Sequence, residues 1–188
     1  RAYAAAASDA RMSGCELPVV IVTGSGNQGI TASVPVIRYA KHIGASDERL
    51  YRALLVSDLV TIHQKTGIGR LSAYCGAVSA GCGAGAGIAY LLGGDYRAIA
   101  HTIVNAVAIL SGTICDGAKP SCAMKVSSGV STAMLSALMA MENKVVTPVE
   151  GIIDENVDKS IINLTSIGSK GMEATDKLVL DIMTGKSC

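Results

Sequence analysis

The stretch 71–87 is built mostly from Gly, Ala, Ser and Cys, and it passes into a helical pattern that ends at Gly93-Gly94. Residues this small let two backbones approach each other closely. The rest of the core is aliphatic, because the 188 residues include 21 Gly, no Phe and no Trp. A core of this kind predicts tightly packed helices.

Apolar periodicity and capping residues predict about seven helices. Residues 1–12 resemble the end of a helix, and later helical patterns cover 30–42, 46–65, 96–114, 122–142, 154–167 and 170–183. We expect Gly67 to end the helix 46–65, and Pro35 either to kink or to delay the helix 30–42. The chain is therefore predicted to form one all-α, or nearly all-α, domain over residues 1–188. A glycine-rich loop and a short extended segment, Pro18–Thr23, are expected near its N-terminus.

The charge balance and the apolar runs argue against two classes of partner. Acidic and basic residues are interspersed and the net charge is +1, so the chain lacks the basic stripe that binds nucleic acid. Of the two most apolar runs, Gly83–Leu92 is short and glycine-rich, and Ala98–Cys115 contains His101 and Asn105. Both patterns favour buried helices over membrane spans.

The first residues begin without Met and resemble a helix already under way, so we expect a fragment or one subunit of a divided protein. They show no apolar region followed by a cleavage site, as a secretory signal would. Six cysteines in a chain with a large aliphatic core do not need to pair as disulfides. The favoured interpretation is a cytoplasmic protein that keeps its thiols for metal binding or catalysis.

A glycine loop follows the extended segment. Residues 24–29 match the pattern G-x-G-x-x-G, and Asp47 stands where a dinucleotide site places a ribose-binding acid. The context opposes that interpretation, because Asp47 follows a helix end and no βαβ alternation continues. A plain turn before a helix is a second interpretation. The third, which we favour, is a small-anion pocket for a substrate carboxylate, formed by Ser25, Gly26, Asn27 and Gln28.

Two cysteine pairs have the same internal spacing, Cys75 with Cys82 and Cys115 with Cys122. Six intervening residues are too many for the tight knuckles of a zinc finger. Cys122 also stands at a predicted helix start, a position that lowers thiol pKa and favours anions. Three well-separated thiolates on loops and helix ends suit an iron–sulfur cluster. Buried structural cysteines are the alternative that the spacing leaves open.

Five segments, taken together, carry a family resemblance: Ser8–Met12, Thr23–Thr31 with Pro35, Cys75–Gly83, Cys115–Cys122 and Gly171–Asp176. They resemble the L-cysteine desulfidase family, which is related to the α-chain of iron–sulfur-dependent L-serine dehydratase. The resemblance runs in order through essentially the whole chain. It covers only the C-terminal half of the usual single-chain members.

The resemblance implies a [4Fe-4S] cluster held by three cysteines, at the matching positions Cys75, Cys115 and Cys122. It implies a packing role for Cys82. In some dehydratase relatives a C-terminal cysteine occupies the open iron, so Cys188 is a candidate fourth ligand. An unliganded terminal thiol is the alternative.

The reaction that the resemblance implies converts L-cysteine to pyruvate, ammonia and sulfide. The alternatives are the same elimination on L-serine, and a cluster-free helical protein without activity. Two residues are candidates for catalysis: His101, on the helix that leads to Cys115, and Lys119, in the loop between the last two cysteines of the motif. His101 has a structural alternative as a packed histidine, and the base can instead come from the N-terminal half. We expect that half as a partner, and association into a homo-oligomer.

Overall fold

The computed structural model describes residues 1–69, 72–148 and 150–185. Within these ranges the fold is all-α, as predicted. It comprises eight α-helices and one π-helical turn, Ile167–Gly171, between the last two. The helices are α1 Ala2–Met12, α2 Gly26–His42, α3 Asp47–Ile68, α4 Gly76–Leu91, α5 Tyr96–Leu110, α6 Cys122–Met141, α7 Val157–Ser166 and α8 Glu173–Met183.

α4 lies at the centre of the fold and contacts α2, α3, α5 and α6. Its glycines determine how close the neighbouring helices come. A Cβ on Gly83 would lie 2.4 Å from the carbonyl oxygen of Ser57 on α3, and a Cβ on Gly81 would lie 2.6 Å from that of Gly129 on α6. The predicted tight packing is therefore confirmed, and the small-residue stretch is itself the central helix rather than a lead-in to it.

α2 begins at Gly26, earlier than the predicted start at Ile30. The reason is a side-chain cap: the Ser25 Oγ accepts a hydrogen bond from the Gln28 N–H at 3.3 Å. Pro35 lies inside α2 and does not delay its start. The first turn of α2 is thus made by the glycine loop that we examined as an anion pocket.

α3 begins as predicted, with Ser46 as its N-cap. It continues past the predicted end and stops at Ile68, because Gly69 takes a φ of +89° that ends the helix. Gly67 was expected to end the helix and instead lies inside it. A Cβ on Gly67 would come within 2.6 Å of the Thr165 Cβ, so this glycine lets α3 approach α7.

The later helices are confirmed with shorter limits. α5 ends at Leu110, because the residues after it leave the helix and form an isolated antiparallel bridge between Tyr74 and Ile114. α8 contacts only the π-helical turn among the described elements, and none of its residues is buried. The extended segment Pro18–Thr23 is irregular and forms no strand. None of the described helices combines the length and apolarity that crossing a membrane requires.

Candidate functional site

A short backbone pairing brings Cys75 and Cys115 together. The Cys75 N–H donates to the Thr113 carbonyl at 3.0 Å, and the Cys115 N–H donates to the Ala73 carbonyl. Cys75 is also the N-cap residue of α4 and is buried. The two thiols, 40 positions apart in sequence, consequently lie close enough to interact at the first turn of the central helix.

The pKa values of the two thiols shift in opposite directions. Contact with the Cys75 thiol is the main cause that lowers the pKa of Cys115 to about 6, and the Gly117 N–H and the Lys125 ammonium lower it further. The same contact, together with burial, raises the pKa of Cys75. Cys115, the half-buried member, is therefore the more acidic thiol of the pair. Cys82, fully buried in α4, has its pKa raised to about 12 by burial, which suits a packing role.

Cys122 is the first residue of α6 and lies across the cysteine loop from this pair. Its thiol donates to the Gly117 carbonyl at 3.7 Å, while the Gly117 N–H is hydrogen-bonded to Cys115. One residue, Gly117, thus lies between two of the predicted ligands. Gly117 takes a φ of +90°, which favours glycine at this turn.

Two of the three predicted cluster ligands are therefore in contact, and the third is one loop away. Across the described ranges, no three Cys, His, Asp or Glu side chains gather closely enough to hold a single metal ion. Cys188, the predicted fourth ligand, lies outside the residues that the structure describes.

The two lysines near the loop are held by one carboxylate. Asp116 pairs with both Lys119 and Lys125, and these contacts hold its pKa well below the ordinary range. Lys119 also donates to the Asp116 carbonyl at 3.0 Å, and Lys125 donates to the Ile114 carbonyl at 2.8 Å. Lys119, a predicted catalytic residue, is thus part of the loop's own scaffold.

A cavity of about 210 Å³ lies between the first turns of α2 and α4. The described residues that line it come from the glycine loop, α3, the bridge segment and the cysteine loop: Gly24, Ser25, Gln28, Lys65, Ser72, Tyr74, Gly76 and Cys115. The structure therefore places the predicted anion loop and the reactive thiol on the same cavity.

The four predicted carboxylate-binding residues divide into two groups. Ser25 and Gln28 line the cavity, although the Gln28 Oε1 is already hydrogen-bonded to the Thr23 N–H at 3.1 Å. Gly26 faces α1, since a Cβ there would lie 2.5 Å from the Arg11 Nε. Asn27 is 4% exposed and buried in the first turn. The loop is thus partly a packed turn and partly a cavity wall.

Lys65 is the residue that sequence reasoning missed. It lies in the last turn of α3, is 8% exposed, and lines the cavity beside Cys115. Burial lowers its pKa, while the charges of Cys115 and Cys75 act in the opposite direction. In sequence it is one of several helix-end lysines, and only the approach of α3 to the starts of α2 and α4 distinguishes it.

His101 lies apart from the thiols. It lines a separate cavity of about 280 Å³ with Arg97, Glu155 and Asp158 among its neighbours. About 13 Å of helix separates it from Leu110, where α5 ends near the bridge. Burial, and then the charge of Arg97, lower its pKa. The helix carries His101 away from Cys115 because the two lie toward opposite ends of α5.

A family model described as "Serine dehydratase alpha chain" matches residues 1–181. The chain belongs to the serine dehydratase alpha chain family. The family relationship predicted from the cysteine and glycine motifs is thereby confirmed. The thiol pair and the glycine-loop cavity thus lie in a member of the serine dehydratase alpha chain family.

Curated relatives are similar along almost the whole chain. A UPF0597 protein of Parabacteroides distasonis is 66% identical over 97% of this chain and 43% of the relative. UPF0597 proteins of Bacteroides fragilis and Desulfitobacterium hafniense are 59% and 58% identical, over 99% and 97% of this chain and 44% and 43% of the relatives. The chain thus spans less than half the length of these curated relatives. No solved structure gives a significant match.

Proposed function

We propose that this chain is the cluster-binding part of an iron–sulfur lyase that converts L-cysteine to pyruvate, ammonia and sulfide. One observation carries the proposal: Cys115, the partner of Cys75 in the backbone pairing, lies on the same cavity as the capped glycine loop, in a member of the serine dehydratase alpha chain family. A carboxylate site beside a metal-ligating thiol pair suits an amino acid with a leaving group on its β-carbon.

The donor set fits a [4Fe-4S] cluster better than a single ion. A single tetrahedral ion draws all its thiolates to about 2.3 Å from one centre. In a four-iron cluster each thiolate binds a different iron, so a third ligand one loop away from the other two is suitable. Cys75, Cys115 and Cys122 are the proposed ligands, with Cys188 as a proposed fourth. When bound, the cluster would supply a Lewis acid for the leaving group of the substrate.

The chain's own residues would bind and orient the substrate. Ser25, the N-cap residue of α2, lies on the cavity, and the positive end of a helix favours a carboxylate. Lys125, whose charge acts on both Cys75 and Cys115, offsets negative charge at the thiols. The cavity wall formed by Tyr74 and Gly76 limits the space to a small molecule.

The group that accepts the Cα proton is proposed to come from outside this cavity. Neither His101 nor Lys119, the two residues predicted for catalysis, is among the residues that line it. The longer relatives contain further sequence that can supply a base. The corresponding part of the protein is therefore the proposed partner of this chain, and the exposed apolar residues Leu178, Leu180 and Ile182 of α8 favour association with it or with further copies.

L-serine is the second candidate substrate, because the matching family model is that of a serine dehydratase alpha chain. The chemistry differs only in the leaving group, hydroxide instead of hydrosulfide. Assays of pyruvate release from each amino acid, with this chain co-expressed with the remainder of the longer protein, distinguish the two.

Anaerobic reconstitution with iron and sulfide tests the cluster directly. The unchanged chain and the variant Cys15→Ser, which changes an exposed thiol outside the cysteine motifs, are expected to develop the broad visible absorbance of an iron–sulfur cluster. Cys115→Ser is expected to lose most of it. If Cys115→Ser develops the same absorbance as the unchanged chain, the ligand assignment is wrong. If neither chain develops it, the chain is better described as a cluster-free helical protein. Pyruvate release from neither amino acid would exclude the lyase.

A further inference from the structure

We infer that the ammonium group of Lys65 binds the carboxylate of the substrate, so that Lys65 is a positioning residue of this cavity. The inference deepens the proposed function and rests on it for the identity of the substrate. It assigns the carboxylate to a side chain of α3, in addition to the glycine loop that the sequence indicated.

The first argument is burial without a carboxylate partner. Lys65 is 8% exposed, whereas the ion-paired side chains of Lys144 and Lys177 are mostly exposed. Among the residues that the structure describes, no carboxylate lies within ion-pair distance of Lys65, and no hydrogen bond involves its side chain. Burial is costly for a cation that no carboxylate pairs with, and a bound carboxylate would offset that cost.

The second argument is position. The Lys65 Cε lies 3.5 Å from the point where a Cβ on Gly24 would sit, and its Nζ lies 3.7 Å from the corresponding point on Gly76. These glycines stand at the starts of α2 and α4, so the ammonium lies between two helix N-termini. Both helix ends and the lysine present positive charge to one cavity, which Ser25 also lines.

Binding of L-alanine, which has the carboxylate and amine of the substrate but no leaving group, tests the inference without a cluster. Chains labelled with ¹³C at the lysine ε-carbon are titrated with L-alanine and with L-alaninamide, and the Lys65 signal is assigned from its loss in Lys65→Arg. L-alanine is expected to shift this signal and L-alaninamide is expected to leave it in place. An L-alanine titration that does not move the Lys65 signal overturns the inference.

Affinity measurements on variants give the second readout. Lys65→Gln is expected to weaken L-alanine binding about tenfold or more, as loss of a charged hydrogen bond does. Lys177→Gln, an exposed lysine of α8, is the matched control and should bind normally. These measurements are made without a cluster, so failure of the cluster and failure of the carboxylate site are distinguishable. Unchanged affinity in a folded Lys65→Gln chain would refute the role of Lys65.

In the reconstituted enzyme, Lys65→Gln is expected to raise KM for the amino acid more than it lowers kcat. A loss confined to kcat, with KM unchanged, would assign proton transfer to Lys65 and overturn the positioning role.

Discussion

The phenol of Tyr74 donates a hydrogen bond to the carbonyl oxygen of Leu110 at 3.1 Å. Leu110 is the last residue of α5, and Tyr74 precedes the N-cap of α4. A side chain that is only 1% exposed thus joins the end of one helix to the start of another. The bridge that aligns Cys75 with Cys115 begins directly beside this contact.

Tyr74→Phe is expected to lower the free energy of unfolding by about 1 kcal/mol, because it removes a buried hydrogen bond and keeps the ring. The variant should also loosen the bridge and increase the alkylation rate of Cys75. Urea denaturation and mass spectrometry measure the two effects. Tyr96→Phe, at a residue that is 80% exposed, is the control and should change neither. Equal stability of the two variants would mean that the Tyr74–Leu110 contact contributes nothing.

Gly83→Ala is expected to destabilise the chain by about 1–3 kcal/mol, because the added methyl group would overlap the Ser57 carbonyl on α3. Helix propensity alone predicts the opposite sign, a gain of about 1 kcal/mol for Ala over Gly. The sign of the change in thermal unfolding therefore decides between packing and propensity. Gly112→Ala, where a Cβ meets nothing within 4 Å, is the matched control and should be close to neutral.

Cys115 is expected to react with iodoacetamide faster than Cys82 at neutral pH in the metal-free chain. Its pKa is lowered to about 6, so the thiolate forms at lower pH than in an ordinary thiol, whose pKa is about 8.5. The alkylation rate should accordingly reach its plateau at a pH where an ordinary thiol is still mostly protonated. A rate that rises only in the ordinary thiol range would contradict the lowered pKa.

Removing the charged groups around Cys115 one at a time is expected to shift the pH profile of its alkylation in opposite directions. Lys125 lowers the pKa of Cys115 and Asp116 raises it. Lys125→Gln is therefore expected to move the alkylation profile of Cys115 to higher pH, and Asp116→Asn to lower pH. Glu142→Gln, which breaks a surface pair with Lys144 on the far end of α6, should leave the profile unchanged. Shifts of the same sign in both site variants would mean that loop structure, and not charge, determines the reactivity.

The sequence predicted the all-α fold and most helix positions because caps and periodicity are local signals. Ser46 and Asp95 mark helix starts by their own hydrogen bonds. Such local signals could not show which of Gly67 and Gly69 ends the helix. One accommodates Thr165 of a distant helix and the other ends α3, and only the packed fold separates the two reasons for a glycine.

Parts of the candidate site could be predicted from sequence where the residue type itself indicates the chemistry. Cysteines and a glycine loop are recognisable, and their meeting at one cavity agrees with the motifs. Lys65 and His101 show what sequence alone cannot predict. A lysine at a helix end and a histidine on an apolar helix look like equal candidates in sequence, yet helix packing buries the first beside Cys115 and carries the second to another cavity.

Backbone-to-backbone contact on several sides holds α4 in place, and the thiol pair lies at its first turn. The peptide dipoles of this helix add up at that end. Because α4 is held by its neighbours, its dipoles do not need to reorient when negative charge develops or is removed at its first turn. The glycines that allow the close packing thus lower the reorganisation energy of whatever charge transfer takes place at Cys75 and Cys115.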